Sequence, residues 1–310
     1  PHLIRLLAAY SHRGHYYMMF PYARLNLHEY WERNATPICN YEKTLWVFQQ
    51  ISGIASALSR VHIYTADDDY RDRRLQVLND DQEKRFGRHG DLKPDNILWS
   101  HQDQIATVDG KMGVLQIADF GLGRFHGRYS RSNVNPLTLV TSPTYQSPEI
   151  ELRKPVSRKY DIWSLGCVYL EFASWLLLGW PGVVELADKR AEQNPQTKIN
   201  DDYFYKLVGD PGSHGCTARL RQGVSSWIAS LRKHPQCSEA IFQLLNIIES
   251  RMLAIDCAQR VECEKLSKEL KNLYDVACEN EAFLMNPHGR KEDTREPSPE
   301  LTRPRQVHSI

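Results

Sequence analysis

The sequence has almost no net charge and no apolar run of the length that a membrane span requires. Its 39 Lys and Arg residues oppose 38 Asp and Glu residues, which leaves a formal charge of +1. No overall field therefore attracts nucleic acid or an anionic membrane. The longest uncharged apolar stretch, 172–184, is shorter than the roughly 20 residues that cross a bilayer, and it contains glycine and proline. We predict no nucleic-acid partner and no membrane partner.

Cysteine pairs of the kind that bind zinc or build a disulfide framework are also lacking. The chain has seven cysteines, none of them in a C-x-x-C pair, and an odd number cannot all pair within one chain. Scattered thiols are typical of proteins in a reducing compartment. The pattern predicts an intracellular protein, cytoplasmic or nuclear.

The chain does have enough apolar material for a large core. Its 310 residues, 41% hydrophobic and 25% charged, are enough for one large domain or two small ones. This composition excludes global disorder, collagen and coiled coil. The first residues show neither an initiator methionine nor a signal-peptide pattern. We interpret the chain as part of a longer polypeptide.

Two pairs of short apolar segments indicate β-hairpins. Residues 1–23 contain two such segments around a turn, which predicts two strands joined by a hairpin. The segments 96–99 and 114–118, separated by a polar stretch, predict a second hairpin with a long loop.

Longer periodic segments indicate helices. Apolar residues at three- and four-residue spacing predict a long amphipathic helix over 41–63. Residues 160–172 are apolar on nearly every side, which predicts a helix buried at the centre of the domain. The segments 241–253 and 263–278 are the clearest of the helices predicted after it.

Two segments are too polar to contribute to a core. Residues 64–88 contain seven acidic and six basic side chains, which predicts a solvated surface insertion. Residues 283–310 are rich in proline, arginine and glutamate, which predicts a disordered tail.

The densest cluster of reactive side chains lies at 89–96, with the sequence HGDLKPDN, and is followed by Asp-Phe-Gly at 119–121. Phosphoryl transfer from a nucleotide needs a carboxylate to orient and deprotonate the attacking hydroxyl, a cation near the moving phosphate, and oxygen ligands for Mg²⁺. Asp91, Lys93, Asn96 and Asp119 supply this set.

These two motifs resemble the catalytic loop and the magnesium-binding motif of the protein kinase family. The resemblance implies ATP and Mg²⁺ as cofactors. It implies that Asp91 is the catalytic base and that Lys93 neutralises the γ-phosphate. Asn96 and Asp119 would then hold Mg²⁺.

The resemblance continues downstream in the family's order. The segment 142–149 resembles the end of the kinase activation loop, and 161–166 (DIWSLG) resembles the start of the central helix, whose aspartate caps amides of the catalytic loop. A later arginine lies where the family pairs one with the glutamate of the activation segment. The implied activation-segment and supporting residues are Phe120, Gly121, Ser142, Glu149, Asp161 and Arg260.

The first residues resemble the last strand of the kinase small lobe and the hinge that binds adenine. Phe20 would be the gatekeeper, while the Pro21 carbonyl and the Ala23 amide would bond to the adenine edge. Proline lacks only a donor, and this position uses its acceptor. Leu98 would form the floor under the adenine.

The implied fold is α+β and protein-kinase-like, with a mostly α-helical large lobe and only the last strands of the β small lobe. Residues 1–23 would be the end of the small lobe and the hinge, 24–282 the large lobe with its insertion at 64–88, and 283–310 the tail. The glycine-rich phosphate loop and the strand lysine of the family have no counterpart, so we interpret the chain as truncated before them. The 310 residues by themselves are expected to be weakly active or inactive.

Gly90 replaces an arginine that in the family binds a phosphorylated activation loop. His-Gly-Asp also occurs in small-molecule phosphotransferases resembling aminoglycoside and choline kinases, so an enzyme of that type is an alternative. Those enzymes lack the Ser-Pro-Glu segment at 147–149 and the helix that starts at 161, and both are present here.

A second alternative is a pseudokinase, an interaction module without activity. The intact catalytic set favours an enzyme. Lys93 and Ser142 resemble the serine/threonine class. The expected partner is a protein substrate, with serine preferred to threonine because Leu122 follows the Asp-Phe-Gly motif and packs poorly beside the threonine methyl group.

Overall fold

The computed structural model describes residues 1–36, 39–63, 86–100, 112–119, 124–126, 143–193, 200–209 and 215–289. The helices are α1 (Leu27–Arg33), α2 (Tyr41–His62), α3 (Lys159–Arg190), α4 (Gln222–Arg232), α5 (Glu239–Ile247), α6 (Cys263–Glu279) and α7 (Glu281–Met285). The strands are β1 (Ala8–His12), β2 (His15–Met19), β3 (Leu25–Asn26), β4 (Phe86–Arg88), β5 (Ile97–Ser100), β6 (Val114–Ile117), β7 (Arg124–His126), β8 (Glu192–Gln193), β9 (Asn200–Asp201), β10 (Tyr205–Val208) and β11 (Thr217–Leu220).

The predicted first hairpin is confirmed as the antiparallel pair β1–β2, with Ala8 opposite Met19. Its turn is Arg13-Gly14, and both residues have positive φ, 50° and 79°. Two consecutive positive φ values give a two-residue turn whose twist matches that of the strands. Every residue of both strands is exposed.

A three-stranded sheet in the order β3-β5-β6 joins the hinge region to the catalytic region. The second predicted hairpin is confirmed as β5–β6, with Ile97 opposite Ile117. On its other side β5 pairs with β3, where Asn26 lies opposite Leu98. The first residues also contact this sheet, because the Ile4 amide donates to the Ile117 carbonyl at 3.0 Å.

Helices α2 and α3 form the centre of the core, as their periodicity predicts. Helix α2 starts at Asn40, whose side chain accepts a hydrogen bond from the Lys43 amide. By length and composition alone α3 could cross a membrane, but 94% of its apolar window is buried within the protein. Residues 160–177 of α3 are buried on all sides, which identifies this part as the predicted central core helix.

Helix α3 bends at Gly179, which has φ 71° and ψ −165°. At the bend, the amide of the next residue, Trp180, donates a hydrogen bond outside the helix, to the Ala35 carbonyl at 2.9 Å. Pro181, which has no amide hydrogen to contribute, follows at the start of the second half. The bend thus ties α3 to the connection after α1.

The predicted helices near the end of the chain are confirmed as α5, extended by a π-helical turn at Ile248–Met252, and α6. The predicted tail from 283 is wrong at its beginning. Helix α7 ends at Met285, and the His288 amide donates to the Cys237 carbonyl at 2.8 Å. These backbone bonds hold a segment that looks polar in sequence; the rest of the predicted tail lies outside the described residues.

The predicted insertion at 64–88 also needs a correction at its end. Phe86–Arg88 forms β4, which pairs antiparallel with β7, and Arg88 is buried. Cross-strand pairing and burial, not the local charge density, determine the structure of these three residues. The remainder of the insertion, 64–85, lies outside the described residues.

Candidate active site

The loop that carries the predicted catalytic residues is held by hydrogen bonds to a buried carboxylate. Asp161, in the first turn of α3, accepts hydrogen bonds from the His89 and Gly90 amides, each at 2.8 Å. The His62 Nε2 atom lies 2.8 Å from the same carboxylate. Burial alone would raise the pKa of Asp161, but the bonds and charges of His62, His89 and Gly90 outweigh burial and lower it. The carboxylate is therefore ionised and holds both amides.

Two further features shape this loop. Gly90 has φ 85°, a left-handed conformation that glycine adopts without steric cost. The His89 ring bridges two segments, because its Nε2 atom lies 2.9 Å from the Ala118 carbonyl and its Nδ1 atom accepts from the Asp91 amide at 3.3 Å. The ring therefore carries its proton on Nε2.

Three of the predicted catalytic residues lie in direct contact. The Lys93 Nζ atom is 3.1 Å from Asp91 Oδ2. The Asn96 side-chain amide donates to Asp91 twice, to the backbone carbonyl at 2.8 Å and to Oδ2 at 3.0 Å. A single 3₁₀ turn, Pro94–Asn96, brings Asn96 back toward the carboxylate. Asp91 is thus held in one orientation, with part of its side chain still exposed.

Asp119 lies beside this cluster although 22 or more residues separate it from each member. The Ala118 amide donates to the Asn96 carbonyl at 2.9 Å, so the residue before Asp119 is bonded directly to the catalytic loop. Asp119 is exposed and has φ 61°, a conformation that is uncommon for residues other than glycine. Phe120 and Gly121 lie outside the described residues.

The site offers oxygen atoms suited to Mg²⁺. Both donor hydrogens of the Asn96 side chain point toward Asp91, which leaves its carbonyl oxygen as an acceptor on the other side. The exposed carboxylate of Asp119 is the second such group. In the described ranges no group of three or more His, Cys, Asp or Glu side chains forms a metal site. A Mg²⁺ ion that is also bound by substrate phosphates typically has only one or two protein ligands.

The predicted adenine-binding residues come from the segment before β3 and from β5, the central strand of the three-stranded sheet. Phe20, Pro21 and Ala23 follow β2 directly and lead into β3, which pairs with the strand that carries Leu98. Phe20 is 43% exposed, while Pro21, Ala23 and Leu98 are each half-buried. The pairing of β3 with β5 therefore brings the hinge region next to Leu98.

Glu149 and Arg260 form a buried bidentate ion pair. The two guanidinium nitrogens lie 2.7 Å and 3.2 Å from the two carboxylate oxygens. Arg260 also donates to the carbonyls of Ala254 and Ile255, at 2.7 Å and 3.2 Å, and its cation lies 5.1 Å from the Trp163 ring centre. Ser142, at the other end of the same segment, lies outside the described residues.

A second buried network near Glu149 was missed by the sequence analysis. Glu171 on α3 accepts from the Tyr145 hydroxyl at 3.0 Å and lies 3.1 Å from Arg190. Arg190 also bonds to Asp202, which accepts from the Thr144 hydroxyl at 2.7 Å. Burial raises the pKa of Glu171, although the Arg190 charge and the Tyr145 hydrogen bond oppose this shift. The one indication of this network in the sequence was Glu171, the single charged residue between 162 and 184.

Comparison with known proteins identifies the family of this chain. A family model described as the protein kinase domain matches residues 84–270, more than half of the chain. The serine/threonine-protein kinase PITSLRE of Drosophila melanogaster is 30% identical over 183 residues, covering 58% of this chain and 17% of that protein. GLH-binding kinase 1 of Caenorhabditis elegans is 32% identical over 146 residues, covering 47% of this chain and 31% of that protein.

A third relative, the cyclin-dependent kinase-like 5 protein of Mus musculus, is 25% identical over 213 residues, covering 69% of this chain. That alignment spans 19% of the relative, so the chain matches less than a third of the length of each of these three proteins. The family model, which matches more than half of the chain, establishes the class of the domain. The chain belongs to the protein kinase family.

Proposed function

We propose that this chain is part of the catalytic domain of a serine/threonine protein kinase, which transfers the γ-phosphate of Mg-ATP to a protein hydroxyl. The observation that carries the proposal is the arrangement of Asp91, Lys93 and Asn96, which lie within hydrogen-bond distance of one another on a loop fixed by Asp161. A carboxylate beside a cation is the pair of groups that orients a hydroxyl toward a phosphate.

Asp91 accepts the proton of the attacking hydroxyl in this proposal. Asn96 bonds to the carboxylate of Asp91 and limits its rotation, so that one oxygen is available to the substrate. Lys93 keeps a positive charge 3.1 Å from the same carboxylate and stabilises the negative charge of the transferring phosphoryl group.

Asn96 and Asp119 are the residues that would hold Mg²⁺, through the amide oxygen and the carboxylate. When bound, the metal ion neutralises charge on the nucleotide phosphates. The bond between the Ala118 amide and the Asn96 carbonyl supports the pairing of these two ligands. The Pro21 carbonyl, the Ala23 amide, Phe20 and Leu98 would contact the adenine.

Substitution of Asp91 and of Asp119 tests this proposal, in the natural protein that carries this sequence. Asp91→Asn is expected to lower kcat by about 10²–10⁴-fold with little change in Mg-ATP affinity, because it removes the base without removing a metal ligand. Asp119→Asn should weaken Mg-dependent nucleotide binding as well. Asp95→Asn is the matched control, because Asp95 lies on the same loop and is exposed.

The measurements are radiolabelled phosphate transfer to a protein acceptor and calorimetric titration with Mg-ATP. Full activity of both variants would refute the proposed roles. A folded wild-type protein that binds its partners but transfers no phosphate would instead support the alternative of a pseudokinase.

The acceptor is proposed to be serine in preference to threonine. The residue that supports this preference, Leu122, lies outside the described residues. We expect about 1 kcal/mol of discrimination, the contribution of one methyl group in a packed site, which is roughly a fivefold difference in kcat/KM. Paired peptides that differ only in serine or threonine at the acceptor position measure it, and equal or reversed rates would contradict it. We also propose an intracellular location, on the basis of the unpaired thiols.

A further inference from the structure

A cavity of about 510 Å³ lies apart from the catalytic loop, between α1, the first turn of α2 and β5. None of Asp91, Lys93, Asn96 and Asp119 lines it. Three cations line it, Arg24, Arg33 and Lys43, together with the rings of Tyr30 and Trp99. Its volume falls within the range of sites that bind small molecules or single side chains.

Lys43 is the most unusual of these residues. Only 8% of its surface is exposed, yet no carboxylate in the described residues lies within ion-pair distance of its ammonium group. Its ammonium group lies over the face of Trp175, 4.3 Å from the ring centre. Buried lysines normally have an anionic partner. Lys43 also lies in the first turn of α2, where the helix dipole adds positive potential.

Tyr30 provides a second hydrogen-bond donor on the lining. It is 7% exposed, and its hydroxyl makes no hydrogen bond within the described ranges. Burial raises the pKa of Tyr30 to about 12, so the hydroxyl keeps its proton at neutral pH. The ring is fixed between Trp46 and Trp99, at centroid distances of 5.4 Å and 5.7 Å. Tyr30 and Lys43 therefore both offer donors to the same cavity.

The charges around the cavity favour a dianion. Arg24 and Arg33 are exposed and form no ion pair among the residues that the structure describes, and Glu42 is the single carboxylate on the lining. Three positive charges and one negative charge leave a net charge of +2. A phosphate monoester carries about −1.5 to −2 at neutral pH and has three acceptor oxygens. The planar guanidinium groups of Arg24 and Arg33 match the arrangement of these phosphate oxygens.

We propose that this cavity binds a phosphorylated side chain of a peptide, with the phosphate between Lys43 and Arg33 and its carrier against Tyr30 and Trp99. The recessed position of Lys43, a residue with 8% of its surface exposed, favours a side chain over a bilayer or a nucleic-acid duplex, because only a narrow group enters such a site. Arg24, which is exposed, supplies the third positive charge of the site. The site is independent of the proposed catalytic role.

The test is a calorimetric or NMR titration of the protein with N-acetylphosphotyrosine amide and N-acetylphosphoserine amide. N-acetyltyrosine amide serves as the unphosphorylated control. At least one phosphorylated amide should bind, the unphosphorylated amide should not, and saturating Mg-ATP should not displace the bound amide. Arg33→Ala and Lys43→Met are each expected to weaken binding about tenfold, the effect of losing one hydrogen bond to a charged group.

The control variant is Lys265→Met, an exposed lysine on α6 that does not line the cavity and should leave binding unchanged. Arg33 is exposed, so Arg33→Ala remains informative if Lys43→Met fails to fold. Equal binding of phosphorylated and unphosphorylated amides would overturn the proposal. So would displacement by Mg-ATP, unchanged binding in Arg33→Ala, or tighter binding of adenosine monophosphate than of either amide.

Discussion

Single residues in this protein are stabilised by partners far away in the chain, and Arg260 is the clearest case. Its side chain has no exposed surface, and that of Glu149 is 5% exposed. Arg260→Met leaves the Glu149 carboxylate buried without its cation, so we expect a loss of about 3–5 kcal/mol in the free energy of unfolding. Urea unfolding followed by circular dichroism measures it.

The matched control is Lys268→Met, which removes an exposed ion pair with Glu264 and should cost less than about 0.5 kcal/mol. The double variant Arg260→Met with Glu149→Leu should recover most of the loss, because no buried charge is then left alone. A loss below 1 kcal/mol in the single variant would show that water reaches Glu149, contrary to the structure.

Some groups of contacting residues could be predicted from the sequence, and others could not. Asp91, Lys93 and Asn96 are brought together within a few residues, so local spacing was sufficient to group them. Glu171 was missed because its partners Tyr145 and Arg190 come from different segments, and periodicity describes only the face on which a residue lies. The catalytic roles remain predictions.

At the scale of elements, α3 combines a strong helical pattern with a break that only glycine permits. Gly179 has φ 71° and ψ −165°, a combination that residues with a Cβ atom seldom adopt. We expect Gly179→Ala to lower the free energy of unfolding by about 1–3 kcal/mol. Chemical denaturation provides the measurement.

Gly215→Ala is the control for this substitution, because an added Cβ at Gly215 would meet no atom of the described residues within 4 Å and its φ lies outside the positive range. The control should change stability by less than about 0.5 kcal/mol. If Gly179→Ala were equally harmless, α3 would have to continue straight through 179, and the bond from Trp180 to Ala35 would be lost.

Element predictions succeeded where the pattern was long. Helices α2 and α6 match their predicted spans within about two residues, because their apolar stripes extend over four or more turns. The four strands after α3 were not predicted. They are two to four residues long, and β8 and β9 consist of polar residues, so their pairing depends on neighbours that periodicity does not show.

At the scale of the whole molecule, exposed apolar residues in and next to the first hairpin favour self-association of the chain. Leu7, Met18 and Met19 are 57%, 65% and 52% exposed. Exposed apolar side chains on an unpaired hairpin favour association. We expect residues 1–310 to self-associate in a concentration-dependent way and Leu7→Ser with Met18→Ser to reduce it, as measured by sedimentation velocity.

Val208→Ser is the control, because Val208 is 42% exposed on β10, away from the hairpin, and should leave self-association unchanged. Equal association of the double variant and the unsubstituted chain would show that another surface is responsible. A monomeric unsubstituted chain at high concentration would contradict the prediction directly.

The sequence by itself determined the family and the main helices of this protein, and it grouped the residues of the candidate site, because each is encoded by residues close together or by a repeated spacing. Tertiary structure decided what joins these parts. The Asp161 carboxylate holds the loop of His89, Arg260 neutralises Glu149, and Lys43 and Tyr30 meet at one cavity. These contacts link residues that are mostly distant in the chain, and their energies depend on burial, which only the packed fold creates.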